Sequence, residues 1–236
     1  MLFKCWGRMS LDENEYEIEG DLDVDIDLFE DILSISYLPL DVLCDGSYAR
    51  RVWKKEGFIH RDGDLPAVEY YHIETNKVVA REWVQYGLRH RENDRPAFTW
   101  EEGWFNEEKG EYVSGDIIQV YYQRGHIHRD GDFPAITQDT GQFLICEVWL
   151  QWGKQHRLNN PAKIGRHYET GIIDSEDWRF AGLPHRETGK AAWILRNGET
   201  GQVQSEQYFE HGREVDRNGT PLEYLKTQTD HLDFSP

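Results

Sequence analysis

A unit of about 30 residues recurs along the chain, and this internal repeat constrains the fold more than any other feature of the sequence. Each copy contains a glycine, and an aromatic residue stands four positions before it. The glycines are Gly57, Gly87, Gly125, Gly153, Gly182 and Gly212, and the aromatic residues are Trp53, Trp83, Tyr121, Trp149, Trp178 and Tyr208. Aromatic residues make up only 13% of the chain, so their presence in all six copies indicates a true repeat.

Further residues recur at fixed distances after each glycine. Five copies carry a His-Arg pair three and four residues later, namely His60 and Arg61, His90 and Arg91, His128 and Arg129, His156 and Arg157, and His185 and Arg186. The sixth copy has Val215 and Asp216 instead, as expected of a degenerate terminal repeat. A Pro-Ala pair follows at residues 66–67, 96–97, 134–135 and 161–162, with looser versions in the last two copies.

The repeat predicts a mainly β fold. Segments such as 82–86 are short and rich in aromatic and β-branched residues, which favours strands. The glycine favours one turn, the Pro-Ala pair marks entry into the next strand, and a Thr-Gly or Thr-Asn pair favours a second turn. We therefore expect two strands per copy and an antiparallel meander of about six stacked β-hairpin repeats. The longer segment from Trp100 to Gly115 is expected to be an exposed loop.

The pattern Trp-x-x-x-Gly-x-x-His-Arg-x-x-Asp-x-Pro-Ala resembles the MORN-like repeats of bacterial, phage and giant-virus proteins. The resemblance covers about residues 52–224 and implies a stacked-hairpin sheet that serves as a scaffold or interaction surface. The unit differs from the standard MORN repeat, which is shorter and has its own glycine pattern. The lipid binding attributed to some standard MORN proteins is therefore not expected here.

The His-Arg pairs admit a structural and a functional interpretation. In the structural one, each histidine fills a turn and each arginine pairs with a nearby acid, such as the Asp64, Asp94 and Asp132 that follow by three residues. In the functional one, the same ten residues bind a phosphate-containing ligand or an acidic partner. A metal site is not expected, because equivalent positions in successive hairpins would lie roughly 9.5 Å apart.

The aromatic column has two interpretations as well. It is expected to be the core that joins one copy to the next, with a stacking platform for single-stranded bases as the alternative. The net charge of −18 opposes that alternative and also binding to anionic lipid, because both need a cationic surface.

The N-terminal segment is the least generic part of the sequence. Between residues 9 and 49 there are 13 acidic residues and no lysine or arginine. Alternating carboxylates predict a strand or hairpin with one acidic face, formed by Glu15, Glu17, Glu19, Asp21, Asp23, Asp25 and Asp27. This face either aids solubility and protects a sheet edge or imitates a phosphate backbone and occupies the basic groove of a nucleic-acid enzyme.

These observations predict a non-enzymatic protein that binds, and in the sharper form inhibits, a basic partner protein, as phage counter-defence and immunity proteins do. The alternatives are a binder or hydrolase of phosphate-containing ligands and a purely structural scaffold. The expected organisation is an acidic segment at 1–48, the repeats at 49–224 and a tail at 225–236. No cofactor, metal, direct nucleic-acid binding or membrane binding is expected. Three widely separated cysteines and the absence of a signal peptide favour a cytoplasmic location.

Overall fold

A computed structural model describes residues 16–17, 48–106 and 108–223. These residues form two compact units, Met1–Ile127 and His128–Pro236, which we call unit 1 and unit 2. Both are built from antiparallel strands, and helix within the described ranges is confined to residues 222–223. The prediction of a mainly β, antiparallel meander is therefore confirmed.

Unit 1 contains eleven strands among its described residues. They are β1 (Tyr16–Glu17), β2 (Tyr48–Lys55), β3 (Phe58–Ile59), β4 (Val68–His72), β5 (Val78–Glu82), β6 (Val84–Gln85), β7 (Leu88–Arg89), β8 (Phe98–Asn106), β9 (Glu111–Val120), β10 (Tyr122–Gln123) and β11 (His126–Ile127). The order β1-β2-β4-β5-β8-β9 makes a meander in which each strand pairs with its neighbour. The remaining strands belong to short hairpins.

Unit 2 repeats this plan. Its strands are β12 (Ile136–Asp139), β13 (Leu144–Val148), β14 (Leu150–Gln151), β15 (Lys154–Gln155), β16 (Lys163–Arg166), β17 (Ile173–Asp177), β18 (Arg179–Phe180), β19 (Leu183–Pro184), β20 (Trp193–Arg196), β21 (Val203–Glu210) and β22 (Arg213–Val215). The meander order is β12-β13-β16-β17-β20-β21-β22, while β14-β15 and β18-β19 are separate two-stranded hairpins.

Instead of joining the two sheet strands of a copy, as the sequence predicted, the glycine turn closes an additional short hairpin. In the second copy, β5 ends at Glu82, the chain passes through Trp83, and Gly87 closes the short hairpin β6-β7. The sheet strands β4 and β5 are joined instead by the turn at Thr75 and Asn76. A tryptophan between the two kinds of strand thus redirects the chain from the sheet into the short hairpin.

The short hairpins have a turn with a strict backbone requirement. The glycine has φ between 77° and 88° in all six copies, and the residue before it has φ between 49° and 55°. Two consecutive residues with positive φ define the type I′ turn, whose twist matches that of paired strands. The glycine is needed because L side chains rarely adopt this conformation.

The insertion in unit 1 lengthens a hairpin and does not form the expected loop. Strand β8 spans Phe98–Asn106 and β9 spans Glu111–Val120, and they pair from Phe98↔Val120 to Asn106↔Glu111 with one irregularity. The two strands have 9 and 10 residues, against 5 each in β4 and β5, so much of the insertion lies in the sheet strands.

The alanine of the Pro-Ala pair is the junction between sheet and hairpin. Ala67, Ala97, Ala135, Ala162 and the equivalent Ala192 are completely inaccessible to solvent. The alanine carbonyl accepts the tryptophan N–H at 2.7–2.9 Å in the bonds Trp53–Ala67, Trp83–Ala97, Trp149–Ala162 and Trp178–Ala192. The tryptophan carbonyl in turn accepts the histidine N–H that closes the short hairpin, for example at 3.0 Å between Trp83 and His90. A larger side chain at the alanine has no room.

In the first copy this junction is filled by aliphatic side chains. Val52, Ala67, Val68 and Val84 form a buried cluster against which Ile59 and Tyr70 pack. The second copy places a polar pair at the positions of Val52 and Ile59. There Glu82 is buried, receives a hydrogen bond from Tyr70 at 2.8 Å and forms an ion pair with Arg89 at 2.7 Å. Burial, and then the neighbouring Glu82 carboxylate, raise the pKa of Tyr70, which keeps its proton as the donor.

The alanine junction yields a first prediction. We expect Ala97→Leu to lower the free energy of unfolding by about 1–3 kcal/mol or more, because the added atoms overpack a closed site. Urea unfolding followed by circular dichroism measures this. The control is Gln85→Leu at an exposed strand position, where the change should stay within about 0.5 kcal/mol. Equal, small effects of both variants would contradict the packing argument.

Candidate functional site

The ten His-Arg residues are the largest predicted set of site residues, and the structure places them beside the short hairpins. His60 and His128 are buried, and the other three histidines are partly buried. Each pair belongs to its own hairpin, and among the described residues no three His, Cys, Asp or Glu side chains come close enough to hold a metal ion. The contacts of each histidine and each arginine therefore lie within the repeat framework itself.

The histidine rings join one hairpin to the next. In four copies the Nδ1 atom accepts a hydrogen bond, at 3.1–3.3 Å, from the backbone N–H of the residue that precedes the next hairpin's glycine. These bonds are Tyr86 to His60, Trp152 to His128, Ala181 to His156 and His211 to His185. In these four rings Nδ1 is therefore the acceptor nitrogen, and Nε2 is left to face other groups.

The opposite nitrogen contacts an acidic residue in three copies. The Nε2 atoms of His60, His90 and His128 lie 2.9–3.1 Å from the carboxylates of Asp62, Glu92 and Asp130. The ring faces also stack on the next hairpin, with centroid separations of 4.3 Å for His60–Tyr86 and 4.3 Å for His128–Trp152. In His60 and His128, both nitrogens and one ring face are thus used within the framework, whereas the Nδ1 atom of His90 is buried without a hydrogen-bond partner among the described residues.

The arginines have an equally regular environment. The guanidinium group lies over the aromatic ring eight residues earlier, at 3.9 Å for Arg61–Trp53, 3.7 Å for Arg91–Trp83, 3.7 Å for Arg157–Trp149 and 3.6 Å for Arg186–Trp178. Its Nη1 atom donates to the backbone carbonyl of the residue before the junction alanine in all five copies, at 2.9–3.5 Å. The arginine therefore fastens the tryptophan to the loop that leads into the next strand.

Two arginines also bind an aspartate, but not the one that follows in their own copy. Arg91 donates from Nε and Nη2 to both oxygens of Asp64, at 2.9 and 3.1 Å, and Arg157 binds Asp132 in the same manner at 2.6 and 2.8 Å. In each case the aspartate belongs to the preceding copy, which corrects the expected pairing within a copy. Hydrogen bonds from these arginines lower the pKa values of Asp64 and Asp132. The side chains thus connect neighbouring copies.

The six residues of the aromatic column, which were expected in the core, are buried to different degrees. Trp83 and Trp149 are buried, at 8% and 6% exposure, while Trp53, Tyr121, Trp178 and Tyr208 are partly buried. Arginine covers one ring face in four of the six copies. A ring face occupied in this way is not offered to a stacked base.

The acidic N-terminal residues fall almost entirely outside the described part of the chain. Glu15, Glu19, Asp21, Asp23, Asp25 and Asp27 lie outside it, and Glu17 is described only as part of β1, which pairs with β2 through Tyr16↔Trp53 and Glu17↔Val52. The predicted acidic face and its two interpretations therefore remain predictions.

A second acidic surface was not predicted. The residue after the arginine is acidic in four copies, and the side chains of these residues are 70–82% exposed. They are Asp62, Glu92, Asp130 and Glu187, which we call the acidic row. Hydrogen bonds from Lys55 and His60 lower the pKa of Asp62, and one from Lys190 lowers the pKa of Glu187, so both are ionised at neutral pH. Their regular position, one residue after the arginine, is the sequence signal that could have predicted this acidic surface.

A catalytic constellation is not seen among the described residues. Cys146 is a buried thiol whose pKa is raised by burial to about 11, so it is protonated at neutral pH.

No helix of the described ranges has the length and apolar character needed to cross a bilayer.

Comparison with protein-family models, with curated proteins and with solved structures gives no match to this chain. The resemblance to MORN-like repeats therefore rests on the sequence pattern alone and remains a prediction.

The arginine environment yields a second prediction. We expect Arg91→Lys to lower the free energy of unfolding by about 1–2 kcal/mol, because lysine keeps the charge but loses the forked contact with Asp64 and the stack on Trp83. Chemical denaturation measures the change. Arg213→Lys is the matched control, since Arg213 is 60% exposed and its ion pair with Glu223 is long at 3.5 Å. Equal stability of Arg91→Lys and the wild type would refute the framework role.

A third prediction concerns pH. Burial, and next the neighbouring His211, lower the pKa of His185 from its ordinary value of 6.5, while Glu210 and Glu187 act in the opposite direction. The unfolded chain then binds the proton more readily than the folded one, so stability is complete above pH 6.5 and falls as the pH drops below it. Thermal unfolding between pH 7.5 and 5 should show a smaller decrease for His185→Asn than for the wild type. Identical pH profiles would disprove the assignment.

Proposed function

We propose that this chain is a non-enzymatic repeat scaffold that binds a basic partner protein. In this proposal about six MORN-like copies present their hairpins to the partner. The observation that carries the proposal is that some positions of the repeat form its framework while others are exposed and variable. In most copies histidine, arginine, tryptophan and alanine make similar framework contacts, whereas the residues on either side of the turn glycine differ from copy to copy. A binding scaffold requires such a combination, because a constant framework fixes the fold while the varied exposed residues contact the partner.

Exposed apolar side chains at the hairpin tips support binding to a protein. In unit 1 these are Phe58, Tyr86 and Leu88, which are 51–54% exposed, and we call them the unit 1 tip. They lie close together, since Tyr86 stacks on the His60 ring and Gly87 donates to the carbonyl of Ile59 at 2.9 Å. Aromatic and large apolar residues of this kind are favoured contacts in protein interfaces.

Charge supports a basic partner. The whole chain has a net charge of −18, and the acidic row places Asp62 and Glu92 beside the hairpins that carry the unit 1 tip. Complementary charge steers association and raises the rate of encounter with a cationic surface. A nucleic-acid-acting enzyme, whose substrate groove is basic, is the class of partner that we propose, with inhibition as the consequence of binding.

The binding of phosphate-containing ligands by the His-Arg ladder receives less support. Arg91 uses Nε, Nη1 and Nη2 in bonds to Asp64 and to the Pro96 carbonyl, and its face covers Trp83. A phosphate would have to displace these contacts. Loss of phosphate binding in a folded Arg61, Arg129 or Arg186 variant would be the finding that favours this alternative.

A fourth prediction tests the proposed function. The immobilised full chain should capture a defined set of basic proteins from host lysate at low salt, and capture should fall steeply at high salt. The triple variant Phe58→Ser, Tyr86→Ser, Leu88→Ser and the double variant Asp62→Asn, Glu92→Gln should each lose those proteins by several-fold, as quantified by mass spectrometry.

The matched control is Ile73→Ser with Ile117→Ser, because these residues are 51% and 46% exposed but lie away from the short-hairpin turns. It should capture the same proteins as the wild type. A separate variant with Asn at Asp21, Asp23, Asp25 and Asp27 shows whether the N-terminal acids contribute. Unchanged capture by the tip variant and the acidic-row variant, both with wild-type melting temperatures, would refute the proposal.

A further inference from the structure

Strand β21 in unit 2 has an edge that is open over part of its length. On one side β21 pairs with β20, and on the other side β22 pairs only with Tyr208–Glu210. Over residues 205–207 the outer side of β21 therefore has no partner strand within the described ranges. Residues 202–206 are exposed. An open edge presents backbone N–H and C=O groups to which a further strand can bind.

The inner copies show which contacts this edge makes elsewhere in the sheet. At three junctions the second sheet strand of a copy pairs at three positions with the first strand of the next copy, in β5-β8, β13-β16 and β17-β20. Residues 205–207 precede Tyr208 as residues 175–177 precede Trp178, so they are the equivalents of the β17 residues that pair with β20. Among the described residues, the strand that the repeat would place next to β21 is missing.

The residue at the junction gives a reason for this ending. Leu222 stands where the inner copies carry the inaccessible alanine, such as Ala192. Leucine is too large for that enclosed position, and Leu222 is only partly buried. A sheet strand begins at Trp193, directly after Ala192, whereas residues 222–223 are helical. The chain therefore leaves the sheet where each inner copy enters it.

The backbone of Glu206 points toward the open edge. The Ala192 N–H donates to the Gln207 carbonyl at 2.8 Å, so Gln207 directs its backbone groups toward β20. Successive residues of a strand direct these groups to opposite sides, and those of Glu206 therefore face outward. The equivalent Glu176 pairs at this side with Ile194 of β20.

The carboxylates equivalent to Glu206 bind an arginine of the next strand. Glu147 accepts a hydrogen bond from Arg166 at 3.0 Å, and Glu176 accepts one from Arg196 at 2.7 Å. In both junctions the arginine stands two residues after the isoleucine that lies opposite the glutamate. An apolar residue followed two positions later by arginine is thus the pattern that this glutamate recognises within the sheet.

Glu206 is arranged for the same contact. Its Oε2 atom accepts the Tyr208 hydroxyl at 2.8 Å, just as Oε2 of Glu176 accepts the Trp178 indole N–H at 3.2 Å. In Glu176 the other oxygen, Oε1, binds Arg196. In Glu206 that oxygen makes no hydrogen bond to any described residue, and the side chain is exposed. The carboxylate therefore offers an acceptor at the position of the missing strand.

Charge around the edge selects the kind of strand that fits. Residues 203–223 contain five acidic residues and two arginines. The acids are Glu206, Glu210, Glu214, Asp216 and Glu223, and the arginines are Arg213 and Arg217. A second copy of the chain would bring two acidic edges together, which like-charge repulsion disfavours. A basic segment has the complementary charge.

We propose that the outer edge of β21 binds an extended segment of a partner protein, in which an apolar residue is followed two positions later by arginine. The segment adds one strand to the sheet, its apolar residue lies opposite Glu206, and its arginine binds Oε1. This inference rests on the proposed function and deepens it, because it gives the form in which a basic partner contacts unit 2. It uses no residue of the unit 1 tip or of the acidic row.

The test titrates the full ¹⁵N-labelled chain with a capped peptide that has the sequence of residues 161–167, which carries the isoleucine and arginine of β16. We expect the amide signals of β21, including Glu206, to shift in a saturable manner up to roughly 2 mM peptide, as for a weak single site. Without peptide, the Glu206 amide should exchange rapidly with solvent, whereas the amide of Glu176, which β20 covers, is the protected control.

Variants of the peptide and of the chain make the result specific. A peptide with glutamine in place of arginine should bind about two- to fivefold more weakly, since the ion pair is exposed. Methylation of the isoleucine nitrogen should abolish binding, because it removes the N–H that the edge accepts. Glu206→Gln should weaken binding of the arginine peptide and leave that of the glutamine peptide unchanged. Glu214→Gln, the same charge change on β22, is the matched control and should have no effect.

Several outcomes would overturn the inference. They are an absence of shifts in β21, binding of the methylated peptide, equal affinity for the arginine and glutamine peptides, and equal effects of the two protein variants. Slow exchange of Glu206 without peptide would also overturn it, because another strand would then already cover the edge. If the peptide fails while basic proteins are still captured from lysate, only this inference falls. If the peptide binds and capture fails, the proposed function falls instead.

Discussion

The hydrogen-bonded contact between a tryptophan and an inaccessible alanine is the interaction on which the rest of the structure depends. The tryptophan N–H binds the alanine carbonyl, and the tryptophan carbonyl binds the histidine N–H, so one residue connects the sheet to the short hairpin. The alanine side chain is fully enclosed at this point, and the tryptophan ring receives the arginine on its face. Removing the close approach would separate the sheet layer from the hairpins and leave both with unsatisfied backbone groups.

The links between copies are mainly polar. These polar contacts help to hold the copies together in a sheet that has few aliphatic residues. Histidine Nδ1 accepts from the next hairpin's backbone, and the turn glycine donates to the preceding hairpin, at 2.9 Å from Gly87 to Ile59 and 2.8 Å from Gly212 to Pro184. These bonds are local and nearly identical from copy to copy, as expected of an architecture whose stability is a sum over neighbours. The polar residues that look most like catalytic groups in the sequence are thereby used to align the hairpins.

Two copies, the second and the fourth, depart from the regular framework. The second copy replaces an aliphatic pair with Glu82 and Arg89, and Tyr70 completes the network so that the buried charges are satisfied. The fourth copy shortens one loop by a residue, because Arg157 and Pro161 are only four positions apart, and there the indole N–H of Trp149 has no acceptor among the described residues. The first departure is closed by side chains of the same unit, whereas the second leaves a buried donor without an acceptor among the described residues.

The repeat, the β class and the positions of both kinds of turn follow from the sequence alone, because glycine with positive φ, proline and β-branched residues restrict the backbone locally. The sequence also showed that the arginines have acidic residues within reach. What it did not determine was the partner of each group. Arg91 lies three residues before Asp94 in the sequence, yet it binds Asp64, because stacking of copies brings the preceding loop closer than its own. Likewise, the junction between the sheet and the short hairpin depends on contacts between residues 13 or more positions apart, such as Trp149 and Ala162, which local preferences do not encode.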